Sequence, residues 1–323
     1  MYQVITKGGL MALTDFLDLE LTVPDPSELE AFWNRRGLLT TGTGQLGTKD
    51  RESQLRLKEG DYRHVSQFRV ACESEQDILG AAKRLSDMGI ASQTGDGWLE
   101  CIDPIQGHTV RLEVTKAVPL SPREKREING PGELNRVGRR SEAAMKLDLP
   151  VPRRVGHVVF GSPDVAANVE FYTKGLGFRV SDNLSAVGAV FIRCSTDHHN
   201  MLLLPAPVPC MNHYALEMND FDGIGLRGVE VVEERPDATV YGIGRHVIGS
   251  NVFWYLLDPA GGMFEFFADM DQIVDDEKWA REEYKEDWDP FTVASYESGV
   301  SKMDFFLPTD IDEIAKGRER AGL

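Results

Sequence analysis

Polar and apolar positions alternate in short runs along this chain, and one arrangement occurs twice. LELTVPDPSELEAFWNRRGLL, from Leu19, and VVFGSPDVAANVEFYTKGLGF, from Val158, share their spacing. Pro24-Asp25 matches Pro163-Asp164 and Phe32-Trp33 matches Phe171-Tyr172, both at an offset of 139. Each block predicts a strand, then a Pro-Asp start to a short amphipathic helix that ends near glycine. Further on, Asp103-Pro104 with Gly107 and Asp258-Pro259 with Gly261 each sit between two apolar strands. Two homologous domains follow, with repeats at roughly 12–117 and 151–270. Residues 1–117 form the expected N-terminal domain, 118–150 a polar, basic linker, and 271–323 an extension that is a candidate lid. In the second domain Val155–Phe160, Ala189–Arg193 and Asn200–Leu204 predict strands, then His213–Met218, Val252–Leu257 and Met263–Phe267. A helix-then-strands order repeated four times predicts an α+β fold with mixed or antiparallel sheets. EKWAREEYKEDW, in the extension, reads as helical.

Composition narrows the class. The 323 residues carry a formal charge of −17, which disfavours nucleic acid as a partner. No apolar run approaches the ~20 residues of a membrane span, and the N-terminus lacks a signal-peptide pattern, so a soluble cytoplasmic protein is expected. Cys72, Cys101, Cys194 and Cys210 match no zinc spacing and are expected to be reduced core thiols.

The chemistry gathers in the second half. It holds five of the seven histidines, His157, His198, His199, His213 and His246, each in or beside a predicted strand. A lone strand histidine is usually a satisfied core residue; five of them with a carboxylate, on strands facing one concavity, suggest more. Glu265 lies in MFEFF with apolar neighbours on both strand faces, so it needs a partner or a metal. Two imidazoles and one carboxylate make the facial triad suited to non-haem Fe(II), with Mn(II) the substitute ion.

The stretch GRHVIGSNVFWYLLDPAGGMFEFF carries the most specific pattern. Gly244-x-His246 is followed at nine residues by Tyr255, then Asp258-Pro259-Ala260-Gly261, and at nineteen residues by Glu265. This half resembles the catalytic domain of type I extradiol ring-cleavage dioxygenases in the vicinal oxygen chelate superfamily. The resemblance spans about 150–270 and implies paired βαβββ modules in each domain, the glyoxalase-like fold. It implies His157, His213 and Glu265 as ligands of Fe(II), or Mn(II), His199 as the acid/base, and His246 and Tyr255 as groups that hydrogen-bond the substrate. His198 is then expected to point away from the site, as a surface or packing histidine. Trp254, where such proteins carry an aliphatic residue or Phe, is expected on the opposite strand face from Tyr255. In the first half Asp18, Ser66 or Gln67, and Arg111 stand at the ligand positions, which implies a non-catalytic domain. Arg245 and Arg281 read as surface ion-pair residues.

The implied reaction inserts both atoms of O2 into a catecholic ring beside the diol and gives a muconic semialdehyde-type product. The local sequence is similar to homoprotocatechuate-type enzymes, and the ring substituents stay open. A homo-oligomer, a tetramer or larger, is also implied. A 4-hydroxyphenylpyruvate-type dioxygenase and a non-catalytic aromatic- or metal-binding member are the alternatives.

Overall fold

The computed structural model describes residues 13–123, 127–141, 149–184, 187–281, 294–296 and 307–322. The first domain is two modules of one kind. β1 (Leu13–Val23), α1 (Pro26–Arg35), β2 (Leu39–Gly42), β3 (Gln45–Gly47) and β4 (Leu55–Glu59) precede β5 (His64–Cys72), α2 (Glu75–Asp87), β6 (Ser92–Gly95), β7 (Trp98–Ile102) and β8 (Thr109–Val114). They form an eight-stranded sheet ordered β2-β3-β4-β1-β5-β8-β7-β6. The second domain repeats the plan. β9 (Arg154–Ser162), α3 (Val165–Glu170), β10 (Arg179–Leu184), β11 (Ala189–Arg193) and β12 (Met201–Pro205) precede β13 (Cys210–Glu217), α4 (Phe221–Glu234), β14 (Thr239–His246), β15 (Val252–Leu257) and β16 (Met263–Ala268). Its sheet runs β10-β11-β12-β9-β13-β16-β15-β14, and β17 (Ala294–Tyr296) adds a ninth strand at the β14 edge. In both sheets the modules meet at a central antiparallel pair, β1 with β5 and β9 with β13, flanked by parallel partners. This is the α+β fold of paired βαβββ modules that the sequence predicts.

The Pro-Asp pairs start helices for a plain reason. Asp25 Oδ1 accepts from the backbone N–H groups of Ser27 and Glu28, both at 3.0 Å, and Asp164 Oδ1 accepts from Ala167 N at 2.9 Å. Each satisfies donors that the first helical turn leaves open. The aromatic pair that follows explains why the two domains share one core. Trp33, on α1, donates its indole N–H to Tyr214 Oη of the other domain at 3.1 Å, and Tyr214 donates to Asp258 at 2.8 Å. Tyr172, its counterpart after α3, reaches the opposite way and donates to Asp103 Oδ2 at 2.7 Å. Tyr172 thus reaches the Asp-Pro turn of the first domain directly, and Trp33 reaches that of the second through Tyr214. Trp33, Phe32 and Phe264 stack edge to face beneath this contact, and the buried core runs continuously through both domains.

Beyond the second sheet the described extension holds a short helix, α5 (Asp276–Trp279), and α6 (Ile311–Ala321). The helical reading of EKWAREEYKEDW holds through Trp279; most of its remainder lies outside the described residues. α6 sits on the seam. Asp310, its N-cap, takes two hydrogen bonds from buried Arg63 at 3.0 and 2.6 Å, and Arg318 donates to the Gln106 carbonyl at 3.0 Å.

His108 lies within the docking contact, 2.9 Å from Tyr172 Oη. Burial pushes its pKa down to about 4. The unfolded chain takes up this proton near pH 6.5 and the folded chain does not, so stability is full above pH 6.5 and falls as the pH drops toward 4. His108 should cost about 2 kcal/mol by pH 5 and about 3 kcal/mol by pH 4. In urea unfolding at pH 7 and pH 5, His108→Met should lose about that much less stability than the wild type over the interval; equal losses would refute the assignment.

Candidate metal centre

Three adjacent central strands place the ligand candidates. Ala215 on β13 pairs with His157 on β9 and with Glu265 on β16, and His213 lies two residues before Ala215 on the same face. Tyr255 on β15 pairs with Glu265, and Tyr241 on β14 with Tyr255, so one row of side chains crosses the concave face. The period-2 alternation of strands sends Phe264 and Phe266 to the helices and Glu265 to the concavity. Trp254 likewise points to the helix side, where its ring covers Gly228 of α4.

His157, His213 and Glu265 offer ligand atoms all within 4.8 Å of one another, and all three are buried. His157 Nε2 lies 2.8 Å and His213 Nε2 3.4 Å from Glu265 Oε2. Burial drives both imidazoles toward neutrality, to a pKa of about 3 for His157 and about 4 for His213. No Lys or Arg among the described residues pairs with Glu265. A wholly buried carboxylate facing two neutral imidazoles lacks a compensating charge, and a divalent cation supplies it. The donor set therefore fits Fe(II) or Mn(II).

Residues around the triad fix it. Asn212 Oδ1 lies 2.6 Å from His213 Nδ1 and accepts its hydrogen, which leaves the Nε2 lone pair for a metal. Asn251 Nδ2 donates to Glu265 Oε1 at 2.9 Å. Gly156 beside His157 has no room for a side chain, because a Cβ there would meet the Phe267 ring at 2.3 Å. That ring stands 4.9 Å from His157. Neither asparagine is singled out by the sequence, since a neutral amide leaves no charge or period signal; adjacency of Asn212 to His213 is the one clue.

The other expected residues converge on the same concavity. His246 Nε2 lies 2.8 Å from Tyr255 Oη, and the Tyr255 ring 4.9 Å from His213. Burial, and then Glu265, raises the Tyr255 pKa well above 10, so its hydroxyl keeps its hydrogen. The His199 ring lies 4.5 Å from His157. Burial, and then His157, pushes its pKa well below the ordinary imidazole value, so it is neutral at pH 7. The turn that carries it is pinned: Asn200 Oδ1 accepts from Cys194 N and Ser195 Oγ, both at 2.9 Å, and Asn200 Nδ2 donates to the Gly156 carbonyl at 3.1 Å.

Of the two readings of His198, surface or packing, the structure has the second: it is wholly buried, with Nδ1 2.9 Å from His199 Nδ1 and Nε2 2.7 Å from Asp182 Oδ2. The two histidines lie in an irregular link between β11 and β12, where strand alternation does not apply. Arg245 pairs with Asp269 and Arg281 with Glu277, as surface residues do.

The first domain fills the equivalent concavity differently. The strand registers align Asp18 with His157, Gln67 with His213 and Arg111 with Glu265, which selects Gln67 over Ser66. Asp18 is held by Arg69 and Arg56, Arg111 by Glu100 and Glu113, and Gln67 accepts from Arg56 at 2.9 Å. Guanidinium groups occupy the place of a cation, so that domain has no metal set among its described residues.

Comparisons with known proteins agree with this geometry. The family model "Glyoxalase/Bleomycin resistance protein/Dioxygenase superfamily" matches residues 154–266. Metapyrocatechase 2 of Cupriavidus necator is 30% identical over 271 residues, covering 80% of this chain and 82% of that protein. Biphenyl-2,3-diol 1,2-dioxygenase of Paraburkholderia xenovorans is 26% identical over 261 residues, covering 76% and 84%. The crystal structure of the Mn(II)-bound glyoxalase from Novosphingobium aromaticivorans shares the fold, with a TM-score of 0.67 at 24% identity over 90% of this chain and 93% of that chain.

The triad should bind about one divalent ion per chain, since one such group exists among the described residues. In anaerobic Mn(II) titration, Glu265→Gln should abolish that binding and Asn212→Ala should weaken it about 10–100-fold. Full-strength binding by Glu265→Gln would place the ion elsewhere.

Proposed function

This chain belongs to the type I extradiol dioxygenases of the glyoxalase/bleomycin resistance protein/dioxygenase superfamily, and from that premise we infer how its residues open a catecholic ring. The observation that carries the reading is the buried triad with the rings of His199 and Tyr255 beside it and His246 hydrogen-bonded to Tyr255. His157, His213 and Glu265 would hold Fe(II), with Mn(II) able to take its place. Bound there, the ion supplies Lewis acidity for a chelating diol and a path for electrons from the diol to O2.

The surrounding residues do the rest. His199, neutral at rest, takes a proton from the incoming diol and returns it to oxygen as the ring opens. Tyr255, whose hydroxyl stays protonated, donates a hydrogen bond to a substrate oxygen. His246, 2.8 Å from that hydroxyl, fixes its direction and offers a second polar contact. Ring opening beside the diol gives a muconic semialdehyde-type product.

The chain's setting follows from the same reading. Four buried, free cysteines suit a reducing cytoplasm, and no helix among the described residues is long and apolar enough to cross a membrane. Phe221, Leu226 and Val229 lie exposed on α4, which supports assembly into a homo-oligomer, a tetramer or larger. β17 lies antiparallel to β14 at His246, which supports a covering role for the extension.

Under air, the Fe(II)-loaded protein should turn a panel of substituted catechols into yellow products, and each triad variant should abolish this. His199→Gln should lower kcat by about 10²–10⁴. A metal-loaded protein that opens no catechol would contradict the reading.

A further inference from the structure

His199 can act as a base only if its nitrogen on the metal side is bare, and the chain of contacts behind it decides that. Asp182 Oδ2 lies 2.7 Å from His198 Nε2, and His198 Nδ1 lies 2.9 Å from His199 Nδ1. A carboxylate accepts and does not donate, so the hydrogen in the first contact belongs to His198 Nε2. Where that is the only hydrogen on the His198 ring, its Nδ1 has none to give. His198 Nδ1 is then an acceptor, and the hydrogen in the second contact belongs to His199 Nδ1. His199 Nε2, across the ring, is left with its lone pair.

We propose that Asp182 and His198 are positioning residues that hold His199 in the Nδ1–H form, with its Nε2 free to receive a proton from substrate. Resting on the ring-opening role of His199, the proposal adds two residues to that site. The packing supports it. His198 is 0% exposed and lies between Phe191 and Trp279, whose rings are 5.4 and 5.5 Å away, so it cannot rotate into solvent. Gly249 leaves the space it needs, since a Cβ there would stand 3.0 Å from His198 Nδ1; its φ of +77° also suits glycine. Trp279 is tied down by its indole N–H, which donates to the Ser181 carbonyl at 3.1 Å, one residue before Asp182. The backbone N–H of His198 donates to the Asp271 carbonyl at 2.8 Å. The start of the C-terminal extension thus buttresses the outer end of this relay.

The direct test is the ¹⁵N spectrum of the histidine-labelled full chain loaded with diamagnetic Zn(II), with His199 assigned by difference against His199→Gln. The expected result is a protonated, pyrrole-type Nδ1 and a bare, pyridine-type Nε2 on His199. The reverse pattern would overturn the proposal. In the Fe(II)-loaded enzyme, His198→Phe should lower kcat about 10–100-fold while KM and metal content hold. His198→Gln, whose amide can still accept from His199 and donate to Asp182, should recover most of the loss. Unchanged kcat in His198→Phe, or no recovery in His198→Gln, would count against positioning. Should His198→Phe fail to fold, His198→Gln and the wild-type spectrum decide. Absence of ring opening in the wild type would defeat the functional reading alone, because the spectrum reports the tautomer independently.

Discussion

A carboxylate with no solvent contact, and no Lys or Arg beside it among the described residues, is the constraint from which this site follows. Glu265 is held by Asn251 and faces two imidazoles that burial keeps neutral. Leaving such a charge uncompensated would cost several kcal/mol, and a divalent ion is the compensation the geometry accepts. The same constraint sets the access. The triad would hold the ion, and the rings of His199 and Tyr255 lie beside two of its members, with His246 hydrogen-bonded to Tyr255. Binding of a diol and O2 is then a matter of the coordination positions the protein leaves unused.

Duplication explains how one scaffold can carry such a costly group. The first domain has the same strand registers, but Asp18, Gln67 and Arg111 replace the ligands, and arginines neutralise the acids directly. It has no need of a metal. What it supplies is the docking surface: Trp33 reaches across to the Tyr214–Asp258 pair while Tyr172 reaches back to Asp103. Asp258 also accepts from Gly262 N at 2.8 Å, so the contact fixes the turn that leads into the strand of Glu265. The ion-paired domain braces the metal-ready one.

Much of this was legible in the sequence, for reasons that are local or periodic. The Pro-Asp pairs announce helix starts because a carboxylate at that position caps the first turn. Strand alternation put Glu265 among apolar residues, and its spacing from His246 and Tyr255 reflects a hairpin, a short-range object. What stayed hidden is long-range or uncharged. Asn212 and Asn251 act through neutral amides. Asp182 lies on an edge strand, where an acid looks like ordinary surface, and it meets His198 only because β10 and the link after β11 lie side by side. The contact of His198 with Asp182 spans sixteen residues, too far for a local pattern to show it. The exchange of aromatics between domains was invisible for the same reason, although both Asp-Pro turns stood out.

The central claim is that His157, His213 and Glu265 together hold one divalent ion. Anomalous diffraction from anaerobic crystals of the Mn(II)-loaded full chain tests it most directly. The account predicts a single strong peak within bonding distance of His157 Nε2, His213 Nε2 and a Glu265 oxygen, with Asn212 still hydrogen-bonded to His213. A peak elsewhere, or none while the His157–Glu265 hydrogen bond persists, would contradict it.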